Sequence, residues 1–180
     1  PTVVLNRPVC LVGFMGAEVA QVGYSLCSRT GLPYVEIDRK VEHAAGTRRA
    51  QVALHQGMAA LRRFEQEALA RALAARPAGV VVLNDACLID PALRRRVLQG
   101  SDLVYVRRPR AVLLRNIQAR LAQTPTRWPE FLEGPPDKLE DLEALLRARE
   151  AGYEAAPHLI EAGTLHPQQV AQRVMARLGW

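Results

Sequence analysis

The chain has 180 residues, about half of them apolar, and a formal charge of +6 from 24 basic and 18 acidic side chains. That length suits one domain with its own core, and no apolar run approaches the roughly 18 residues of a membrane span. The basic residues fall in short dispersed clusters and only 5% of the chain is aromatic; with little to stack on bases, the charge reads as a solvated arginine-rich surface and speaks against nucleic acid as a partner.

The first residues lack the basic-then-apolar layout of a signal peptide, so the expected location is the cytoplasm. Residues 8–13 read as a buried strand, with Val9-Cys10-Leu11-Val12 running into Gly13 and Gly16 and then a helical pattern over 17–29. Strand, glycine loop and helix in this order are how nucleotide-binding proteins hold phosphate. The pattern G-x-x-x-x-G-K-[ST] would put Gly, Lys and Ser or Thr at positions 18 to 20, where this chain has Glu18, Val19 and Ala20. Gly31-Leu32-Pro33 stops the helix and starts a second strand over 33–37, after which comes Asp38. A helix is predicted over 59–76, a strand over 79–84, a helix over 91–99, a strand over 102–107 and a helix over 110–122. Residues 122–137 hold four of the twelve prolines and no regular period, and read as a loop or lid inside the domain. A helix over 138–154, a strand over 157–161 and a helix over 167–178 complete the chain. Short apolar runs alternating with helical segments predict a parallel sheet with helices on both faces, one three-layer α/β/α domain spanning residues 1–180. Cys10, Cys27 and Cys87 have no metal-ligand spacing and lie in apolar contexts, as buried thiols do.

The order of these segments, together with the strings LVGFMGA, GLPYVEID and LLRAREAGYEAA, resembles the shikimate kinases from about Pro8 to the last helix. The resemblance implies a P-loop kinase fold of the nucleoside-monophosphate-kinase type with a five-stranded parallel sheet, and a family activity in which ATP and magnesium phosphorylate shikimate. Gly13 and Gly16 match the P-loop, and they would equally make a plain strand-to-helix turn. Glu18 stands for a glycine, Val19 for the phosphate-gripping lysine and Ala20 for the metal-binding hydroxyl. The family's Asp-x-Asp pair becomes Glu36 and Asp38; Asp38 matches the shikimate ligand and could also cap a helix starting near Arg39. GMAALRRFE puts Arg62 on a carboxylate-binding arginine and Glu65 on the acid that follows it, and RAREAGY puts Arg149 on a second such arginine. Arg127 corresponds to a lid arginine, while Arg115 and Pro167 correspond to the adenine subsite. The family's Gly-Gly-Gly after the third strand is Asn84-Asp85-Ala86 here, three side chains where the family has none.

With phosphate and metal ligands replaced, the resemblance implies a pseudokinase with no catalytic residue, metal or cofactor. Its role would be to bind a small ligand, such as a carboxylate, at Asp38, Arg62, Arg149 and Arg127, or to serve a partner protein as a scaffold, with no membrane involved. Two alternatives stay open: an active divergent shikimate kinase with phosphate ligands recruited from elsewhere, and a basic nucleic-acid-binding module.

Overall fold

All four side chains of β1 (Val9–Val12) are buried, as the central strand of a parallel sheet requires, because both of its faces are covered. The computed structural model describes residues 2–123 and 139–180. In these, β1 is followed by α1 (Val19–Thr30), β2 (Tyr34–Glu36), α2 (Ile37–Ala45), α3 (Arg49–Gln56), α4 (Met58–Ala74) and β3 (Val80–Val82). A short 3-10 turn (Cys87–Ile89) leads to α5 (Pro91–Gly100), β4 (Asp102–Arg107), α6 (Arg110–Gln123), α7 (Leu139–Glu154), β5 (His158–Glu161) and α8 (Pro167–Leu178). The strands form one parallel sheet in the order β2-β3-β1-β4-β5. Val9 pairs with Val80 on one side and with Asp102 on the other.

This order makes β1 the place where the winding of the sheet reverses, and in open α/β sheets the crevice beyond the carboxyl ends of such strands is where ligands bind. The loops after β1, β2, β3 and β4 all emerge at that edge. Gly13 to Glu18, Asp38, Asn84, Asp85 and Arg108 are therefore brought together by topology alone. Helices cover both faces: α1 packs on β1, β2 and β3 with α8 beside it, and α5 packs on β4 and α4. Among the described residues no helix is long and apolar enough to cross a membrane.

The five predicted strands and six predicted helices are all present, with no end shifted by more than two residues. Helix α4 stops at Ala74 instead of running to residue 76, since a residue before proline, here Pro77, is pushed out of the helical region. Two helices, α2 and α3, were not predicted as spans. Each is under three turns and buries little, Ile37 and Val41 in α2 and Val52 in α3, so neither is long enough to stand out as a periodic segment. Cys10 and Cys87 are buried and Cys27 is half-buried, all three as free thiols; burial pushes Cys10 up to about 12 and Cys27 to about 11.

Candidate functional site

The loop after β1 keeps the backbone of a phosphate loop while changing its side chains. Gly16 has φ +85°, and a Cβ there would lie 2.6 Å from the Leu113 carbonyl oxygen; the Asn116 side chain of α6 donates to the Gly16 carbonyl at 2.9 Å. Glu18, the residue before α1, has φ +61° and is the one non-glycine residue with positive φ among those described. An L-residue in this region costs roughly 1–2 kcal/mol. The Glu18 side chain caps nothing. Val19 is 8% exposed and belongs to the core, and Ala20 has no hydroxyl. Glu18→Gly is accordingly expected to raise stability by about 1 kcal/mol, seen as a higher urea midpoint at unchanged slope; a lower midpoint would mean that the carboxylate makes contacts outweighing the backbone strain.

A buried arginine holds this loop from behind. Arg108, 5% exposed, donates from Nε to the Ala17 carbonyl at 3.0 Å and from Nη1 to the carbonyls of Gly163 and Leu165 at 3.2 and 2.8 Å. Burial lowers its pKa, and the nearby Glu18 carboxylate opposes that. The loop after β1 and the connection from β5 to α8 are thus tied to one guanidinium. In the sequence, Arg107-Arg108 is one of the dispersed basic doublets; only the position at the end of an apolar strand hints that one member is buried.

On the opposite wall the acceptor-side residues form a closed network. Asp38 lies in the first turn of α2, not at its cap. Arg49, at the start of α3, donates to Asp38 at 3.3 Å and to Glu65 at 3.2 Å. Asn84 donates to Asp38 and to Glu65, both at 3.1 Å, and Arg62 pairs with Glu65 at 2.8 Å. Glu65 is fully buried and accepts from three donors. Asp38 is pushed up to about 6, chiefly by burial, while Arg49 and the Asn84 hydrogen bond hold it down. Burial opposes the charge on Arg49, yet Asp38 and Glu65 outweigh it and raise its pKa.

Arg149 reaches the same region from α7. Gly152 lets that helix close on the 3-10 turn, where a Cβ would meet the Leu88 carbonyl oxygen at 2.7 Å. Arg149 pairs through Nε with Asp85 at 2.9 Å, donates from Nη1 to Leu145 O at 3.0 Å and lies 5.8 Å from the centroid of the Phe14 ring. The Tyr153 hydroxyl donates to the Asp85 carbonyl. Arg62 and Arg149, expected as open receptors for a carboxylate, are instead committed to carboxylates of the chain itself, because Glu65 and Asp85 lie within bonding distance of them.

The cleft between these walls is a cavity of about 380 Å³ with a smaller one of about 150 Å³ beside it. Their linings include the carboxylates of Glu18, Glu36, Asp38 and Asp85 and the guanidiniums of Arg49 and Arg120, but not Arg62 or Arg149. An open groove of about 830 Å³ continues past Glu18 and Arg120 to His166 and Pro167. Pro167 is buried at the first position of α8, after an N-cap formed by His166 with Gln169, where proline suits the helix start for its own sake. Arg115 is exposed on α6 and lines none of these cavities; Arg120 on the same helix lines all three. Arg49, Arg108 and Arg120 are the site-lining or site-holding residues that the sequence reading passed over. Arg127 and most of the expected lid over 122–137 lie outside the described residues.

Magnesium takes hard oxygen ligands in near-octahedral order. Ala20 supplies none, and Glu36 is engaged by Arg39 at 3.1 Å and by the Tyr34 hydroxyl at 3.2 Å. The residues present therefore do not fit magnesium bound as in a P-loop kinase.

A family profile for shikimate kinase matches residues 15–179. A shikimate kinase of Paramagnetospirillum magneticum is 30% identical over 174 residues, covering 97% of this chain and 85% of that protein. Shikimate kinase 2 of Serratia proteamaculans is 28% identical, covering 97% of each chain. Among solved structures, the shikimate kinase of Acinetobacter baumannii in complex with shikimate superimposes with a TM-score of 0.82 at 23% identity, over 96% of this chain and 93% of that one. The chain belongs to the shikimate kinase family.

Proposed function

We propose that this member of the shikimate kinase family does not transfer phosphate and acts as a pseudokinase, binding a small ligand at the acceptor side of its cleft or offering the fold to a partner protein. The observation that carries this reading is the segment Glu18-Val19-Ala20 at the start of α1. In a P-loop the backbone amides, a lysine and a hydroxyl surround the phosphates and the metal. Here the lysine position is a valine in the core, the hydroxyl position is an alanine, and a carboxylate stands beside the loop. A unit charge about 4 Å away is worth roughly 4 kcal/mol at an effective dielectric near 20, so exchanging an attractive charge for a repulsive one approaches about twice that. Solvent screening reduces the sum, but even half of it weakens phosphate binding by about three powers of ten.

The small-ligand side of the proposal rests on Asp38, which lines the cleft with Arg49 and Asn84, and on Arg62 and Arg149 behind that wall, each paired with a carboxylate of the chain. A second reading, an active divergent kinase, has two supports: the relatives are named as shikimate kinases, and Arg120 lines the cleft beside Glu18. A transfer assay separates the two. Purified protein incubated with magnesium, ATP and shikimate is expected to form no phosphorylated product above the rate without protein. Turnover that is lost on Asp38→Asn would overturn the pseudokinase reading in favour of the divergent kinase.

A further inference from the structure

Arg149 is buried, yet it is absent from the lining of the cleft; what the cleft presents in its place is the carboxylate of Asp85. The guanidinium meets that carboxylate at 2.9 Å, the distance and chemistry of a charge-assisted bond to an anionic ligand. Asp85 is held for the task, since its backbone carbonyl accepts from Tyr153 and the neighbouring Asn84 is fixed by Asp38 and Glu65. Of the other two arginines of this wall, Arg62 is paired with Glu65 and is likewise absent from the lining, while Arg49 lines the cleft and is paired with both Asp38 and Glu65.

We propose that the Asp85 carboxylate is an intramolecular competitor for ligand carboxylates at Arg149, and that it sets which small molecules the cleft accepts. A carboxylate attached to the chain acts at high effective concentration, so an external one must displace it before it can reach the guanidinium. It must also pass Glu18 in a cleft lined by the carboxylates of Glu18, Glu36, Asp38 and Asp85 as well as by Arg49 and Arg120. The proposal concerns ligand selection at the acceptor side of the cleft, and rests on the reading of that side as a small-ligand site.

The test is shikimate affinity, measured by calorimetry for the unaltered chain and for Asp85→Asn, Asp85→Gly and the double variant Asp85→Asn/Arg149→Met. Asp85→Asn keeps the volume of the side chain and leaves the Tyr153 bond to the backbone intact, so the fold should persist; Asp85→Gly is a second route to the same opening. Both single variants are expected to bind shikimate roughly tenfold or more tightly than the unaltered chain. The double variant, which buries no unpaired charge, should lose that gain. Methyl shikimate, which has no carboxylate, should bind alike with or without Asp85. Equal shikimate affinity in the unaltered chain and both single variants would overturn the proposal. So would a gain that survives Arg149→Met, or an equal gain for the methyl ester, since either would assign the effect to space and not to charge. Phosphoryl transfer by the unaltered chain would overturn the pseudokinase reading without altering this affinity comparison.

Discussion

The triple variant Glu18→Gly, Val19→Lys, Ala20→Ser is expected to bind ATP about three powers of ten more tightly than the unaltered chain, while remaining unable to phosphorylate shikimate. The backbone is ready for the change: Gly16 and Glu18 already have positive φ, so the glycine restores a residue suited to a conformation the loop still adopts. A lysine at position 19 can keep its methylene stem against the core that Val19 now touches and bring its ammonium out to the phosphates. The acceptor side is untouched by these three changes. Asn84, Asp85 and Ala86 still occupy the wall, Arg149 still faces Asp85, and a kinase must hold both substrates in line before proximity helps the reaction. Calorimetry with ATP and a transfer assay with shikimate read the two halves separately. Full transfer in the variant would mean that the acceptor wall is intact as it stands. No gain in ATP affinity would mean that the cleft is closed by something beyond the three positions, and would favour a scaffold over a ligand binder.

The second large effect is on stability. Glu65 has no exposed surface and accepts from Arg49, Arg62 and Asn84; removing its carboxylate leaves the half-buried Arg62 guanidinium without its acid and Arg49 with Asp38 alone. Breaking a buried charge pair in this way costs about 3–5 kcal/mol, a large part of the roughly 5–15 kcal/mol that holds a typical domain together. Glu65→Ala is expected to lower the urea midpoint accordingly. Arg62→Met in the Glu65→Ala background should recover part of the loss, because it withdraws the stranded charge. A Glu65→Ala protein as stable as the unaltered chain would show that the network is solvated and does not hold the wall together.

The fold was legible because its signals are local and repeated. Val9 to Val12 and Val80 to Val82 are apolar runs that only a strand buried on both faces explains, and Gly31 and Pro33 mark the turn between α1 and β2. Helix α2 was anticipated only as a helix starting near Arg39 and α3 not at all, since each is under three turns and packs chiefly on α4 with few core residues of its own. At the site, Asp38, Arg62, Arg149 and the altered loop could be named from the family strings, but their state could not. Whether an arginine is open or paired depends on which carboxylate the fold carries to it: Asp85 comes to Arg149 from 64 positions earlier in the chain, and Arg49 comes to Glu65 from 16 positions earlier. Arg108 was hidden for the same reason, its three carbonyl partners lying about 55 to 91 positions away and leaving no trace in spacing or period.

Titration of the unaltered chain with magnesium and ATP, followed by calorimetry, tests the central claim most directly, because the claim is that Glu18, Val19 and Ala20 have removed the phosphate cradle while the fold remains. The account predicts no saturable heat at millimolar nucleotide from protein that unfolds cooperatively. Saturable binding in the micromolar range, lost when Arg120 or Arg108 is replaced, would contradict it and show that other cations have taken over the phosphates.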